Sequence, residues 1–135
     1  MRTTSASPSA VVATPTTIAG TTTPSALPLQ VIPTGSGATA VAGWSHTCAT
    51  LSGQVLCWGL DTHGQLGTGN GTLSHDPVLA LPAGSGAVGV ATSGAHTCAA
   101  VAGGVQCWGT NGFGQLGSGD TQSSAVPVQA LPAGS

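Results

Sequence analysis

The sequence predicts an all-β fold made of tandem four-stranded antiparallel units, and three observations carry that prediction. The stretch HTCATLSGQVLCWGLDTHGQLG at His46–Gly67 returns as HTCAAVAGGVQCWGTNGFGQLG at His96–Gly117, with every landmark displaced by 50 residues. Self-similarity at a fixed period marks a repeat architecture. Short apolar runs alternate with clusters of Gly, Asn, Pro and Ser, and no helix-start signal precedes a run of period 3.6. Charge is almost missing: Arg2, Asp61, Asp76 and Asp120 are the only Lys, Arg, Asp or Glu residues, 3% of the chain against about 25% in an average domain. So few charges suit sheets buried on both faces by their neighbours.

Taken in order, residues 1–20 form a Ser/Thr/Ala/Pro lead-in without a period of 2 or 3.6, read as a flexible segment or the worn remnant of an earlier repeat. Residues 21–36 read as the tail of an incomplete repeat. Its strand is expected over Leu27–Ile32, and LQVIPTGS at Leu29–Ser36 is a degenerate copy of VLALPAGS at Val78–Ser85 and VQALPAGS at Val128–Ser135. Residues 37–85 are one full repeat, with strands expected over Thr39–Gly43, His46–Leu51, Gln54–Trp58 and Val78–Leu81. Residues 86–135 are the next, with strands over Val88–Thr92, His96–Val101, Val105–Trp108 and Val126–Leu131. The linker from Gly59 to Pro77 is long for a hairpin. Its glycines at 59, 64, 67, 69 and 71 predict a compact chain of turns, because glycine adopts positive φ at little cost.

The central hairpin has a register that follows from its turn. A two-residue turn at Ser52-Gly53 pairs Leu51 with Gln54, Thr50 with Val55, Ala49 with Leu56 and Cys48 with Cys57. The turn Ala102-Gly103 pairs Cys98 with Cys107 in the same way. Both cysteine pairs then fall on non-hydrogen-bonded sites, where Cα atoms approach to about 4.5 Å, the short end of the disulfide range. A three-residue loop would shift the register by one and separate the sulfurs, and Ala102 suits positive φ poorly. Disulfides at Cys48–Cys57 and Cys98–Cys107 are the favoured reading and imply an oxidising compartment. Reduced buried cysteines compete with it. So does a zinc site recruiting His46 or His96, although the spacing matches none of the usual zinc motifs.

Other chemistry is poorly supported. One basic residue cannot capture nucleic acid or an anionic membrane surface, and no apolar run approaches the ~18 residues of a membrane-spanning helix. The first twenty residues do not have the form of a signal peptide. Gly112-Phe113-Gly114-Gln115-Leu116-Gly117 matches G-x-G-x-x-G but lacks the following helix that a dinucleotide loop requires. Gly43-Trp44-Ser45-His46-Thr47 fails G-x-S-x-G at its last position. The acid–histidine neighbours Asp61/His63 and His75/Asp76 are not repeated and read as solvated loop residues, with Asp61 and Asn111 making side-chain turns to their own backbone. Trp44 has no aromatic counterpart 50 residues on, and reads as a cover for one end of the core or an anchor for a partner.

H-T-C-A, then G-x-V-x-C-W-G, then G-Q-L-G, twice at one period, resemble the repeats of the regulator of chromosome condensation family, in the cysteine-bearing form found in bacterial proteins. The resemblance covers about Thr21 to Ser135. It implies a β-propeller with one four-stranded blade per repeat, so this chain is expected to form a partial propeller. It implies structural roles for the motif positions: Gly59, Gly64, Gly67, Gly109, Gly114 and Gly117 in turns, Trp58 and Trp108 in packing, Leu66 and Leu116 as plugs between blades, with His46, His96, Gln65 and Gln115 completing the motif. Family members include a nucleotide-exchange factor that docks on chromatin, a β-lactamase inhibitor and surface scaffolds. Two full repeats are fewer than the usual ring and no basic tail is present, which speaks against exchange activity and chromatin docking. The expectation is a non-enzymatic scaffold for protein–protein contact, outside the cytoplasm or on the cell surface, without cofactor or metal. An inhibitor or regulator of an enzyme or GTPase is the alternative, and a hydrolase is less favoured. Because neither end carries the polar outer face of a terminal repeat, Val55, Leu56, Val88 and Val105 are expected to meet water in part. The chain is expected to be part of a longer propeller or to complete one by self-association.

Overall fold

Ser52 and Gly53 both hold positive φ, 47° and 84°, the combination a tight two-residue hairpin turn requires. Ala102 avoids that strain: among the described residues only Ser52 departs from negative φ outside glycine, and Gly103 alone carries the positive angle, 74°, in the second hairpin. Both hairpins nevertheless keep the two-residue register, Leu51 opposite Gln54 and Val101 opposite Gly104. Cys48 therefore faces Cys57, and Cys98 faces Cys107.

The computed structural model describes residues 30–32 and 35–131. Strands β1 (Ala38–Gly43), β2 (His46–Leu51), β3 (Gln54–Gly59) and β4 (Ser74–Leu81) form one antiparallel sheet in sequential order. Strands β5 (Gly89–Thr92), β6 (His96–Val101), β7 (Gly104–Gly109) and β8 (Ser124–Leu131) form the second. A three-residue 3₁₀ turn, Ala83–Ser85, leads from one to the other. It is pinned by Ala87 N–H and Ser85 Oγ, which both donate to Gly53 O at 2.9 and 3.0 Å. A Cβ at Gly53 would stand 2.7 Å from Ala83 O, so this turn needs glycine for space as well as for φ.

The fourth strands begin at Ser74 and Ser124, earlier than the expected Val78 and Val126. Pro77 and Pro127 hide the strand signal, but β4 and β8 are edge strands, where a residue without N–H is tolerated. Of the strand expected over Leu27–Ile32, Leu27–Leu29 lie outside the described residues. Gln30–Ile32 are not strand: Gln30 Nε2 donates to Ile32 O at 3.0 Å, a local closure that competes with pairing. Residues 1–29, 33–34 and 132–135, with the lead-in and most of the incomplete repeat, also lie outside the described residues.

The two sheets stack face to face, and the core lies between them. Strand alternation places His46, Cys48, Thr50, Val55 and Cys57 on one face of the first sheet. Thr97, Ala99, Val101, Gln106 and Trp108 occupy the opposite face of the second. Cys48, Val55, Cys57, Leu66 and Leu81 pack with Ala99, Val101 and Trp108 in one buried cluster. Val55, expected to meet water, is wholly buried because its face is the one the second sheet covers. Val88 is exposed, and Leu56 and Val105 are half-buried on the outward faces.

Candidate functional site

The repeated motif builds a directional lock between the sheets. After β3 the chain turns back through Asp61–Gly67. Leu66 N–H donates to Asp61 Oδ1 at 2.9 Å and His63 N–H to Gln65 Oε1 at 2.7 Å. These bonds aim the Gln65 carbonyl at the second sheet, where it accepts from Trp108 Nε1 and Thr97 Oγ1, both at 2.9 Å. Thr97 Oγ1 in turn lies 2.6 Å from His46 Nε2. The Thr97 proton is committed to Gln65, so the hydroxyl accepts from His46 and the imidazole carries its proton on Nε2. Its Nδ1 is buried without a partner. His96 Nδ1 meets Ser93 Oγ at 2.7 Å, but the residue corresponding to Ser93 in the first repeat is Gly43, which offers no side chain. Burial, and then the neighbouring His96, push the His46 pKa down, as expected for a ring held neutral in low dielectric.

Packing follows the same direction. Leu66 is fully buried, and Gly69 N–H donates across the seam to Ala125 O at 3.0 Å. The second repeat builds the same loop, with Leu116 N–H on Asn111 Oδ1 at 2.9 Å and Phe113 N–H on Gln115 Oε1 at 2.8 Å.

Identical residues therefore stand in two environments. Thr97 and Trp108 are fully buried by the loop of the first repeat, whereas Thr47 and Trp58 on the outward face of the first sheet are only half-buried. His46 and Gln65 are likewise fully buried, while His96 and Gln115 are half-buried on the outward side of the second sheet. That side carries a shallow depression of about 250 Å³ lined by Val90, Cys98, Ala100 and Val105. Among the described residues, no Gln-Leu-Gly loop is hydrogen-bonded to Thr47 and Trp58, and no Thr–Trp pair is hydrogen-bonded to the Gln115 loop, at opposite ends of the stack.

The sulfurs of Cys48 and Cys57 are 2.10 Å apart and those of Cys98 and Cys107 2.14 Å, disulfide distance in both hairpins, with Cα atoms 4.1 Å apart. The imidazoles of His46 and His96 are hydrogen-bonded to Thr97 and Ser93, and among the described residues no group of three His, Cys, Asp or Glu is arranged to hold a metal. His63, His75 and Asp76 are exposed. Asp61, expected to be solvated, is 1% exposed, because its carboxylate is drawn inward to cap the loop. Trp44 leaves 76% of its surface to solvent and does not cover the core. Sequence reasoning missed the Gln65 carbonyl as the hub of the lock, since a main-chain atom leaves no signature in residue type.

The model of the regulator of chromosome condensation (RCC1) repeat matches residues 52–100 and 102–134, more than half of the chain. The chain belongs to the RCC1 repeat family. No curated protein sequence matches it. Among solved structures it is similar to human WBSCR16, with 28% identity and a TM-score of 0.62 over 68% of this chain and 25% of that one. It is similar to yeast RCC1 (Prp20) in its complex with Kap60, with 26% identity and a TM-score of 0.60 over 75% of this chain and 24% of that one. A structure of Prp20p from Saccharomyces cerevisiae, reported with its binding to Gsp1p and histones, matches in fold at 20% identity and a TM-score of 0.57, over 75% of this chain and 27% of that one. The chain spans about a quarter of the length of these relatives. The two sheets are consecutive blades of a partial RCC1 β-propeller. Both matches begin at a hairpin turn, and the first, residues 52–100, straddles the two blades, running from β3 and β4 of one into β5 and β6 of the other and taking in Gln65 and Thr97 of the lock.

Proposed function

We propose that this RCC1 module works by protein contact and catalyses no reaction, as a pair of blades in a larger ring whose further blades are repeats of the same kind. Those repeats belong either to the same polypeptide or to a second copy. The observation that carries this reading is the half-burial of Thr47 and Trp58, in the face that is fully buried where the corresponding Thr97 and Trp108 receive a Gln-Leu-Gly loop. A head-to-tail contact of this sort uses different patches on the two partners and continues until a ring closes. Gsp1p, histones and Kap60, the partners named for the yeast relatives, are proteins, which supports a protein partner here without identifying it. Cysteine pairs at disulfide distance favour a site of action outside the cytoplasm or on the cell surface.

The test is the solution mass of the 135-residue chain, measured by light scattering across a concentration series. Concentration-dependent association, abolished by Thr47→Arg in the face that would receive a Gln-Leu-Gly loop, is the expected result. A monomer with a sharp cooperative melt and no binding of apolar dye would show that two blades suffice.

A further inference from the structure

Asp61 and Asn111 occupy the same position of the two loops. Each accepts a main-chain N–H with Oδ1, from Leu66 and Leu116, at 2.9 Å. The loops that follow have the same internal bonds. Thr68 Oγ1 and Thr72 N–H converge on Asn70 Oδ1 at 3.1 and 2.9 Å, as Ser118 Oγ and Gln122 N–H converge on Asp120 Oδ1 at 2.9 and 3.1 Å. The second terminal atom differs in kind. Asn111 Nδ2 donates into a cage of four oxygens: the carbonyls of Asp120 and Gln122 at 3.0 Å, and Ser118 Oγ and Asp120 Oδ1 at 3.3 Å. In the first loop the corresponding atom is Asp61 Oδ2. It is an acceptor, buried and without a hydrogen-bond partner, in a residue 1% exposed, and Thr68, Asn70 and Thr72 stand at the positions of the cage residues Ser118, Asp120 and Gln122. A cavity of about 500 Å³ adjoins it, lined by Asp61, His63, Asn70 and, across the seam, Ser123 and Ser124.

A buried carboxylate oxygen without a partner is costly unless a positive charge is placed beside it. We propose that the Asp61 loop is a binding site for a hard cation of the calcium type, held by Asp61 Oδ2, the carbonyls of Asn70 and Thr72, and the side-chain oxygens of Thr68 and Asn70. Such all-oxygen sets suit calcium, and water from the adjoining cavity can complete its coordination. A single carboxylate among neutral oxygens places the affinity in the weak range of about 10⁻⁴–10⁻³ M. The spacing of His and Cys points to no metal at this loop, and carbonyl ligands leave no trace in residue type. The cation would tie the loop that presents Gln65 and Leu66 into its locking geometry, so the site also tensions the seam between the blades.

The test is thermal melting of the full chain after chelation and dialysis, with and without calcium chloride. At about 10 mM calcium the wild type is expected to gain roughly 5 °C. Asp61→Asn, which restores the donor found at Asn111, should melt higher than the wild type without calcium and show no response to it. Asn111→Asp, which sets a carboxylate beside Asp120 in the second cage, should melt lower without calcium and acquire a calcium response. A wild type that calcium leaves unmoved would overturn the site. A calcium response that survives in Asp61→Asn would overturn it as well.

Discussion

His46 Nε2 and Thr97 Oγ1, 51 residues apart in the chain, meet at 2.6 Å in the seam between the two blades. Thr97 relays that contact to the Gln65 carbonyl, so one hydroxyl joins the first strand of the repeated motif to its closing loop across two blades. Thr97→Val leaves a buried imidazole N–H and part of a buried carbonyl unsatisfied, an expected cost of about 1–3 kcal/mol. Thr47→Val, the same change on the half-buried outward face, is expected to stay within about 0.5 kcal/mol in the dilute monomer. Urea unfolding of the two variants measures the difference.

The neutral state of His46 makes the fold sensitive to acid. Its folded pKa lies below the ordinary value of about 6.5, so the unfolded chain takes up the proton first. Stability is therefore complete above pH about 6.5 and falls as the pH drops below it toward the lowered folded value. His96 is the titratable group beside it, and its charge opposes protonation of His46 in the same direction. The urea midpoint should decline between pH 7 and 5, with a shallower slope in His46→Gln.

Oxidation of the cysteines is checked by alkylating the unfolded, unreduced protein, which should take up no label. Closing a separation of 9 residues stabilises each hairpin by roughly 2–3 kcal/mol in the chain-entropy model. Cys48 and Cys57 are fully buried, whereas Cys98 is half-buried on the open face. Mild reductant should therefore open Cys98–Cys107 first, as mass spectrometry of trapped thiols would show.

Gly64 and Gly114 separate conformational strain from crowding. Their φ values are nearly equal, +78° and +76°, but a Cβ at Gly64 would meet Ala125 Cα at 2.5 Å while one at Gly114 meets nothing within 4 Å. Gly114→Ala should cost the left-handed penalty alone, about 1–2 kcal/mol. Gly64→Ala should cost about 1–3 kcal/mol more, because the second blade has to shift. Equal melting temperatures for the two variants would contradict a seam packed tightly at Gly64.

The period of 50 residues, the meander of strands and the cysteine register are legible in the sequence alone, because turn chemistry and side-chain alternation act over a few residues and are written locally. The second hairpin shows how far this reaches. Ala102 is a poor residue for the expected turn, yet the pairing Cys98–Cys107 persists because Gly103 absorbs the positive φ. What the tertiary structure decided is which copy of each motif is used. Trp58 and Trp108 have the same neighbours in sequence, Cys-Trp-Gly, and only Trp108 is fully buried with its indole N–H on the Gln65 carbonyl. Asp61, which looks like a solvated loop acid, ends with one oxygen buried and unpaired. Burial and partnership at these sites come from a blade stacked on its neighbour, and a residue's own stretch of chain carries no record of what will cover it.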